Sequence, residues 1–242
     1  MGEKMRLDKL LSNMGLGSRK EMNDALRYGW VKVNGVVMKY GKEKVDVETD
    51  EILYEGKPVK YQKYATLIMN KPQGVISATD DHRHQTVVDL LEEPWCNMNL
   101  FPVGRLDIDT EGLLILSNDG ALSHNLLSPK KHVPKTYYAK IDKPVDDKDI
   151  EIFANGATLE DDYLCKPAEL KVIDVNESGI SEIELVIYEG KFHQVKRMFE
   201  SVGKNVIYLK RIKMGALELD PALALGEYRE LTADEMELLK GK

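Results

Sequence analysis

A chain of 242 residues, 43% of them hydrophobic, can bury a substantial core and divide into one small and one medium domain. It has no run of about 18 apolar residues and no apolar leader stretch at its start, which argues against a membrane span or a secretory signal and leads us to expect a cytoplasmic protein. A formal net charge of −7 excludes holding nucleic acid by bulk attraction, but residues 1–44 carry ten Lys/Arg against five acids, a local excess of +5 that leaves −12 elsewhere.

Residues 5–14 place Met5, Leu7, Leu10, Leu11 and Met14 at helical spacing, with Gly15 as a stop. A second helix is expected from Ser18-Arg-Lys-Glu21, where the Ser hydroxyl can take an amide of the first turn while the Glu side chain reaches back, and Gly29 ends it. Val31-Lys-Val33, Asn34-Gly35 and Val36-Val-Met38 then read as a tight hairpin, because Asn-Gly tolerates two positive φ angles. Helix, helix and hairpin thus carry the basic side chains Arg6, Lys9, Arg19, Lys20 and Arg27, which either face folded RNA or form a solvated charged surface.

Met5-Arg-Leu-Asp-Lys-Leu-Leu11, Ser18-Arg19-Lys20 and Gly29-Trp-Val-Lys-Val-Asn-Gly35 resemble the S4 RNA-binding domain over about residues 5–60. The resemblance implies a small module that docks structured RNA. Lys60-Tyr-Gln-Lys63 is read as the link, giving expected domains of 1–60 and 61–242.

Beyond the link, residues 65–69 read as a buried strand halted at Asn70-Lys-Pro-Gln-Gly74, where Pro72 removes an amide donor. Further strands are expected at 112–116, 136–141, 170–175, 183–188 and 206–213, and helices at 122–127, 147–154, 193–202 and 234–239. Thr232-Ala-Asp-Glu235 repeats the capping spacing before the last helix. Strands grouped with helices, without regular βαβ alternation, make an α+β domain.

Gly104-Arg-Leu-Asp-Ile-Asp-Thr-Glu-Gly-Leu-Leu114 alternates two acids with Leu106 and Ile108. An extended backbone would put Asp107 and Asp109 on one face and the apolar pair on the other. Spacing alone leaves a cleft carboxylate, a metal-binding Asp-x-Asp and a capped turn open. His82 and His84 have no further ligand at metal spacing, Cys96 and Cys165 form no CxxC pair, and no phosphate-cradling Gly-rich loop occurs. Neither metal nor cofactor is expected.

The same segment closely resembles the catalytic motif of pseudouridine synthases of the RsuA type. Lys135-Thr-Tyr137, Glu189-Gly-Lys-Phe-His-Gln-Val-Lys-Arg-Met-Phe199, Asn70-Lys-Pro-Gln-Gly74 and Gly226-Glu-Tyr-Arg-Glu-Leu-Thr232 follow that family's order. The resemblance implies a mixed, mainly antiparallel sheet with flanking helices. It implies Asp107 as the catalytic carboxylate, which also assists sugar deprotonation toward a glycal-type intermediate, with Asp109 in a local structural role. Tyr137 is implied as the ring that stacks on the target base and relays its C5 proton, and Lys196 as the cation paired with Asp107, where many relatives carry Arg. Arg105 is implied as the residue filling the gap left by a flipped uridine.

His193, Lys196 and Arg197 fall on one helix face as an expected cationic surface for RNA. The implied substrate is 16S ribosomal RNA, at uridine 516, free or in an assembly intermediate, and a monomer with no membrane partner is expected. A 23S rRNA synthase and a non-catalytic S4-type RNA-binding or ribosome-assembly protein are the competing readings.

Overall fold

The computed structural model describes residues 3–128 and 131–241, which pack as two units. The first comprises the described residues up to Ala65 together with Val88–Phe101, and the second holds Thr66–Val87 and the described residues from Pro102 onward. A single cut after residue 60 therefore does not describe the packing. Segment 88–101 joins the first unit because Asn97 Nδ2 donates to the Gly15 carbonyl at 3.0 Å. Gly15, at φ 72°, lies so close to Pro94 that a Cβ would meet its carbonyl oxygen at 2.2 Å.

In the first unit, β1 (Lys4–Arg6) and α1 (Leu7–Asn13) replace the single helix expected over 5–14. Lys4–Arg6 pairs with β4 (Lys44–Asp46), a long-range ladder that overrides the local helical spacing. Helix α2 (Arg19–Tyr28) forms as the spacing requires: Ser18 and Glu21 make a reciprocal capping box, and Gly29 closes the helix at φ 80°. Strands β2 (Val31–Val33) and β3 (Val36–Val37) flank Asn34 and Gly35, both at positive φ. β2 also pairs with β5 (Ile52–Tyr54), and β5 with β6 (Lys57–Pro58). Leu7, Leu10, Leu11, Leu26 and Val31 fill the core beneath.

The second unit is built on one mixed sheet. Its strands are β7 (Thr66–Lys71), β8 (Phe101–Val103), β9 (Glu111–Ser117), β10 (Lys135–Ile141), β11 (Glu169–Val175), β12 (Ser181–Ile187), β13 (Val206–Met214), β14 (Leu217–Glu218) and β15 (Tyr228–Glu230). They run in the order β11-β12-β10-β13-β9-β7-β15, with β14 on β13 and β8 on β9. Only the β13–β9 contact is parallel among the registered pairs of this sheet, setting Arg211 opposite Gly112. β7 and β9 are buried almost end to end, as central strands covered on both faces are.

Helices α3 (Gly120–Leu127), α4 (Asp147–Asn155), α5 (Gln194–Ser201) and α6 (Ala233–Lys240) complete the α+β architecture. Phe153 of α4 and Phe199 of α5 pack edge to face with centroids 5.0 Å apart.

Candidate active site

Lys71 ends the buried strand β7, and its ammonium donates to the carbonyls of Pro72 (2.9 Å), Asp107 (3.0 Å) and Thr110 (2.9 Å). Burial pulls this lysine down from 10.5 to about 8, although the charges of Asp107, Asp109 and Glu111 push the other way. A buried cation thus gathers both ends of the segment that carries the two acids. Ser77 adds a second clasp, its hydroxyl donating to Leu106 O and accepting from Leu106 N, both at 3.0 Å.

That segment is not extended through its acids, contrary to the expected alternation. Thr110 N donates to Asp107 O at 3.1 Å and closes a turn, so Leu106 is buried whereas Ile108 is 40% exposed. Both carboxylates nevertheless converge on Lys196. The ammonium hydrogen-bonds Asp109 at 2.6 and 2.8 Å and stands 3.6 Å from Asp107 Oδ2. The expected Lys196–Asp107 pair is therefore a through-space contact, because the turn brings Asp109 nearer. Burial raises the Asp109 carboxyl, but the bond from Lys196 and its charge, with smaller contributions from the backbone and His193, together carry the net shift downward.

Asp107, Tyr137, Arg105 and His193 line one cavity of about 530 Å³, a size suited to a small organic group. Lys196 is not part of its wall. Tyr137 is buried on β10, in register with Leu185 on one side and Arg211 on the other. Arg211 is 2% exposed; its Nε donates to Leu113 O at 2.8 Å, while Nη2 has no acceptor among the described residues. Gly112 permits this: at φ 104°, a Cβ there would meet Arg211 O at 2.2 Å. Lys135 lines the same cavity, and burial, reinforced by the charge of Arg211, lowers it to about 8.

Residues 190–194 also line this cavity. Buried Glu189 accepts from Tyr163 Oη (2.8 Å), Lys166 N (3.0 Å) and Gln194 Nε2 (2.9 Å), which fixes the loop. His193 caps α5 in the left-handed region at φ 50°, a conformation a non-glycine residue holds only when its surroundings enforce it. Its Nε2 lies 3.8 Å from Asp107 Oδ1, and its ring stacks on the exposed Phe192 at 3.7 Å. Lys191 lines the cavity with its ammonium 4.7 Å from the Tyr163 ring centroid.

The cationic face expected from His193, Lys196 and Arg197 is neutralised. Each has an acidic neighbour, Arg197 turning to Asp161 at 2.6 Å and Glu160 at 3.6 Å. In the first unit, Arg6 and Arg19 likewise close on buried Asp8 at 2.8 and 3.0 Å, and Arg27 on Asp24 at 3.2 Å. Burial opposes ionisation of Asp8, but the two guanidiniums prevail and hold it at about 2. Lys9 and Lys20 are exposed. The cations Lys71, Lys135 and Arg211 went unassigned in the sequence; the one available signal was a basic residue ending, opening or interrupting a strand.

Residues 65–201 match the family model for RNA pseudouridylate synthase, and residues 5–52 match the S4 domain. The chain is 53% identical to YtzG of Bacillus subtilis, an uncharacterized RNA pseudouridine synthase, over 97% of this chain and 98% of that one. It is 41% identical to the ribosomal small subunit pseudouridine synthase A of Escherichia coli, over 96% and 98% respectively. A crystal structure of a pseudouridylate synthase superposes with a TM-score of 0.68 at 37% identity, covering 97% of this chain and 99% of the other.

Proposed function

From the premise that this chain belongs to the RNA pseudouridylate synthase family and is a pseudouridine synthase, we propose that it isomerises one uridine of small-subunit ribosomal RNA, uridine 516 of the 16S molecule, with Asp107 as the catalytic carboxylate. The observation that carries the reading is the shared cavity, which Asp107, Tyr137 and the buried Arg211, its Nη2 unpartnered among the described residues, all line.

Isomerisation detaches uracil from C1′, turns it and rejoins it through C5, so the base must be held while it is bonded to nothing. Asp107 supplies the negative charge for cleavage, by attack on the nucleoside or by stabilising positive charge at C1′. Lys196, bonded to Asp109, keeps a fixed cation 3.6 Å from that carboxylate. Tyr137 offers a ring face for stacking and a phenol to accept or pass the C5 proton. Arg211 Nη2 donates to a uracil carbonyl and keeps the detached base from escaping, and Arg105 takes the place the flipped base vacates in the RNA stack. No step calls for a cofactor.

The 16S assignment draws on the 41% identity to the small-subunit enzyme over nearly the whole of both chains. Chemical mapping of pseudouridine across rRNA from cells lacking this protein tests it. One missing modification at uridine 516 is the expected result, and a loss confined to 23S rRNA would move the substrate to the large subunit.

A further inference from the structure

We propose that the first unit carries a stacking platform for unpaired RNA nucleobases, formed by Tyr28, Trp30 and Val37 and flanked by Lys32 and Lys39. The inference rests on the RNA-substrate reading above and locates a contact surface within it.

Tyr28 and Trp30 are 73% and 47% exposed, yet their rings lie 5.4 Å apart, tilted by 30°. Gly29 between them is the left-handed end of α2. Where its Cβ would sit, Val37 Cγ1 is 3.5 Å away and Lys39 Nζ 3.9 Å, so the hairpin meets the helix end across a residue with no side chain. On β2 the alternation turns Val31 and Val33 into the core and Lys32 outward, directly opposite the exposed Val37. Helix end and hairpin thus make one aromatic and apolar surface with ammonium groups at its edge.

Charge identifies the occupant. Residues 27–42 hold Arg27, Lys32, Lys39 and Lys42 and no Asp or Glu, in a chain of net charge −7. Neither Lys32 nor Lys39 pairs with a carboxylate among the described residues, whereas Arg6, Arg19 and Arg27 are all engaged. Uncommitted cations interleaved with exposed aromatic rings suit a strand whose bases stack on the rings while its phosphates meet the lysines. A duplex hides its base faces, so the partner is an unpaired stretch.

The test uses the full chain with Trp95→Phe, which leaves Trp30 as the one indole of the two in the sequence. Titration with a single-stranded RNA of about 12 nucleotides is compared with the same strand annealed to its complement. The single strand is expected to quench Trp30 emission and the duplex to leave it nearly unchanged. Tyr28→Ser, and Trp30→Ser read by anisotropy of labelled RNA, are each expected to weaken single-strand binding about 10-fold. Lys32→Ala and Lys39→Ala should each reduce the slope of log K against log salt by about 0.7.

Equal quenching by the duplex, or unchanged affinity in both serine variants, overturns the proposal and leaves the patch to a protein partner. Tritium release from 5-tritiated rRNA by the unaltered chain separates the two levels. Turnover with unchanged serine variants sinks the platform alone; no turnover on any rRNA sinks the functional reading, while the quenching still decides the platform.

Discussion

Lys71→Met removes a buried charge while keeping a side chain of similar length, and its consequences have definite signs. At neutral pH the carbonyls of Pro72, Asp107 and Thr110 lose their common donor. Each buried acceptor left unpaired costs about 1–3 kcal/mol. Against this stands relief of the desolvated charge: a fall from 10.5 to about 8 corresponds to roughly 3 kcal/mol. Three carbonyls outweigh one ammonium, for a net destabilisation of about 3 kcal/mol.

The pH dependence isolates the group. A folded-state value below the unfolded one means that the unfolded chain binds the extra proton between about 8 and 10.5, so wild-type stability rises across that window and the variant lacks this contribution. Lys135, also lowered to about 8, titrates in both proteins and cancels in the difference. Urea unfolding at several pH values reads the stability, and tritium release reads the chemistry. Loosening the Asp107 segment by about 1 Å should cut turnover on the order of 100-fold. A variant within about 0.5 kcal/mol of wild type, with a superimposable profile above pH 8, would refute the clasp.

Asp8→Ala should destabilise the first unit by roughly 2 kcal/mol at neutral pH, since its carboxyl sits at about 2 against an ordinary 3.8. A depressed acid stabilises above 3.8 and loses that contribution as pH falls toward 2, so thermal melts of the two proteins should converge there; a constant gap would contradict the assignment. Lys196→Ala frees the exposed Asp109, so its stability cost stays below about 1 kcal/mol and vanishes below the ordinary carboxylate range, while kcat falls because Asp107 loses the fixed cation 3.6 Å away. Wild-type kcat in this variant would remove Lys196 from the site. Gly112→Ala drives a Cβ into the Arg211 carbonyl and should cost about 3 kcal/mol or prevent soluble expression; unperturbed melting would mean that β9 and β13 are less tightly apposed.

Local signals were legible wherever a few adjacent residues decide the backbone. The Ser18–Glu21 and Thr232–Glu235 capping boxes and the Asn34-Gly35 turn formed where the spacing placed them. Partners distant in sequence decided the rest. Residues 5 and 6 look helical in isolation but pair with residues 45 and 44, and β15 is three residues long, defined by its pairing with β7. Nothing in 88–101 announces that it packs with the first unit.

At the site, family resemblance singled out Asp107 and Tyr137, which the fold brings to one cavity. Lys71, Lys135 and Arg211 stayed hidden because a basic residue's role depends on whether it is buried, and burial follows from strand order. The same holds for Arg6, Arg19 and Arg197, whose charge is cancelled by acids that only the fold brings near.

The most direct measurement is tritium release from 5-tritiated small-subunit rRNA by wild type and by Asp107→Asn, with RNA affinity recorded for both. Asparagine keeps the shape and removes the charge, so the variant should bind RNA as wild type does and release no tritium above background. Turnover by Asp107→Asn at a rate near wild type would place the reacting carboxylate elsewhere and undo the account of this cavity.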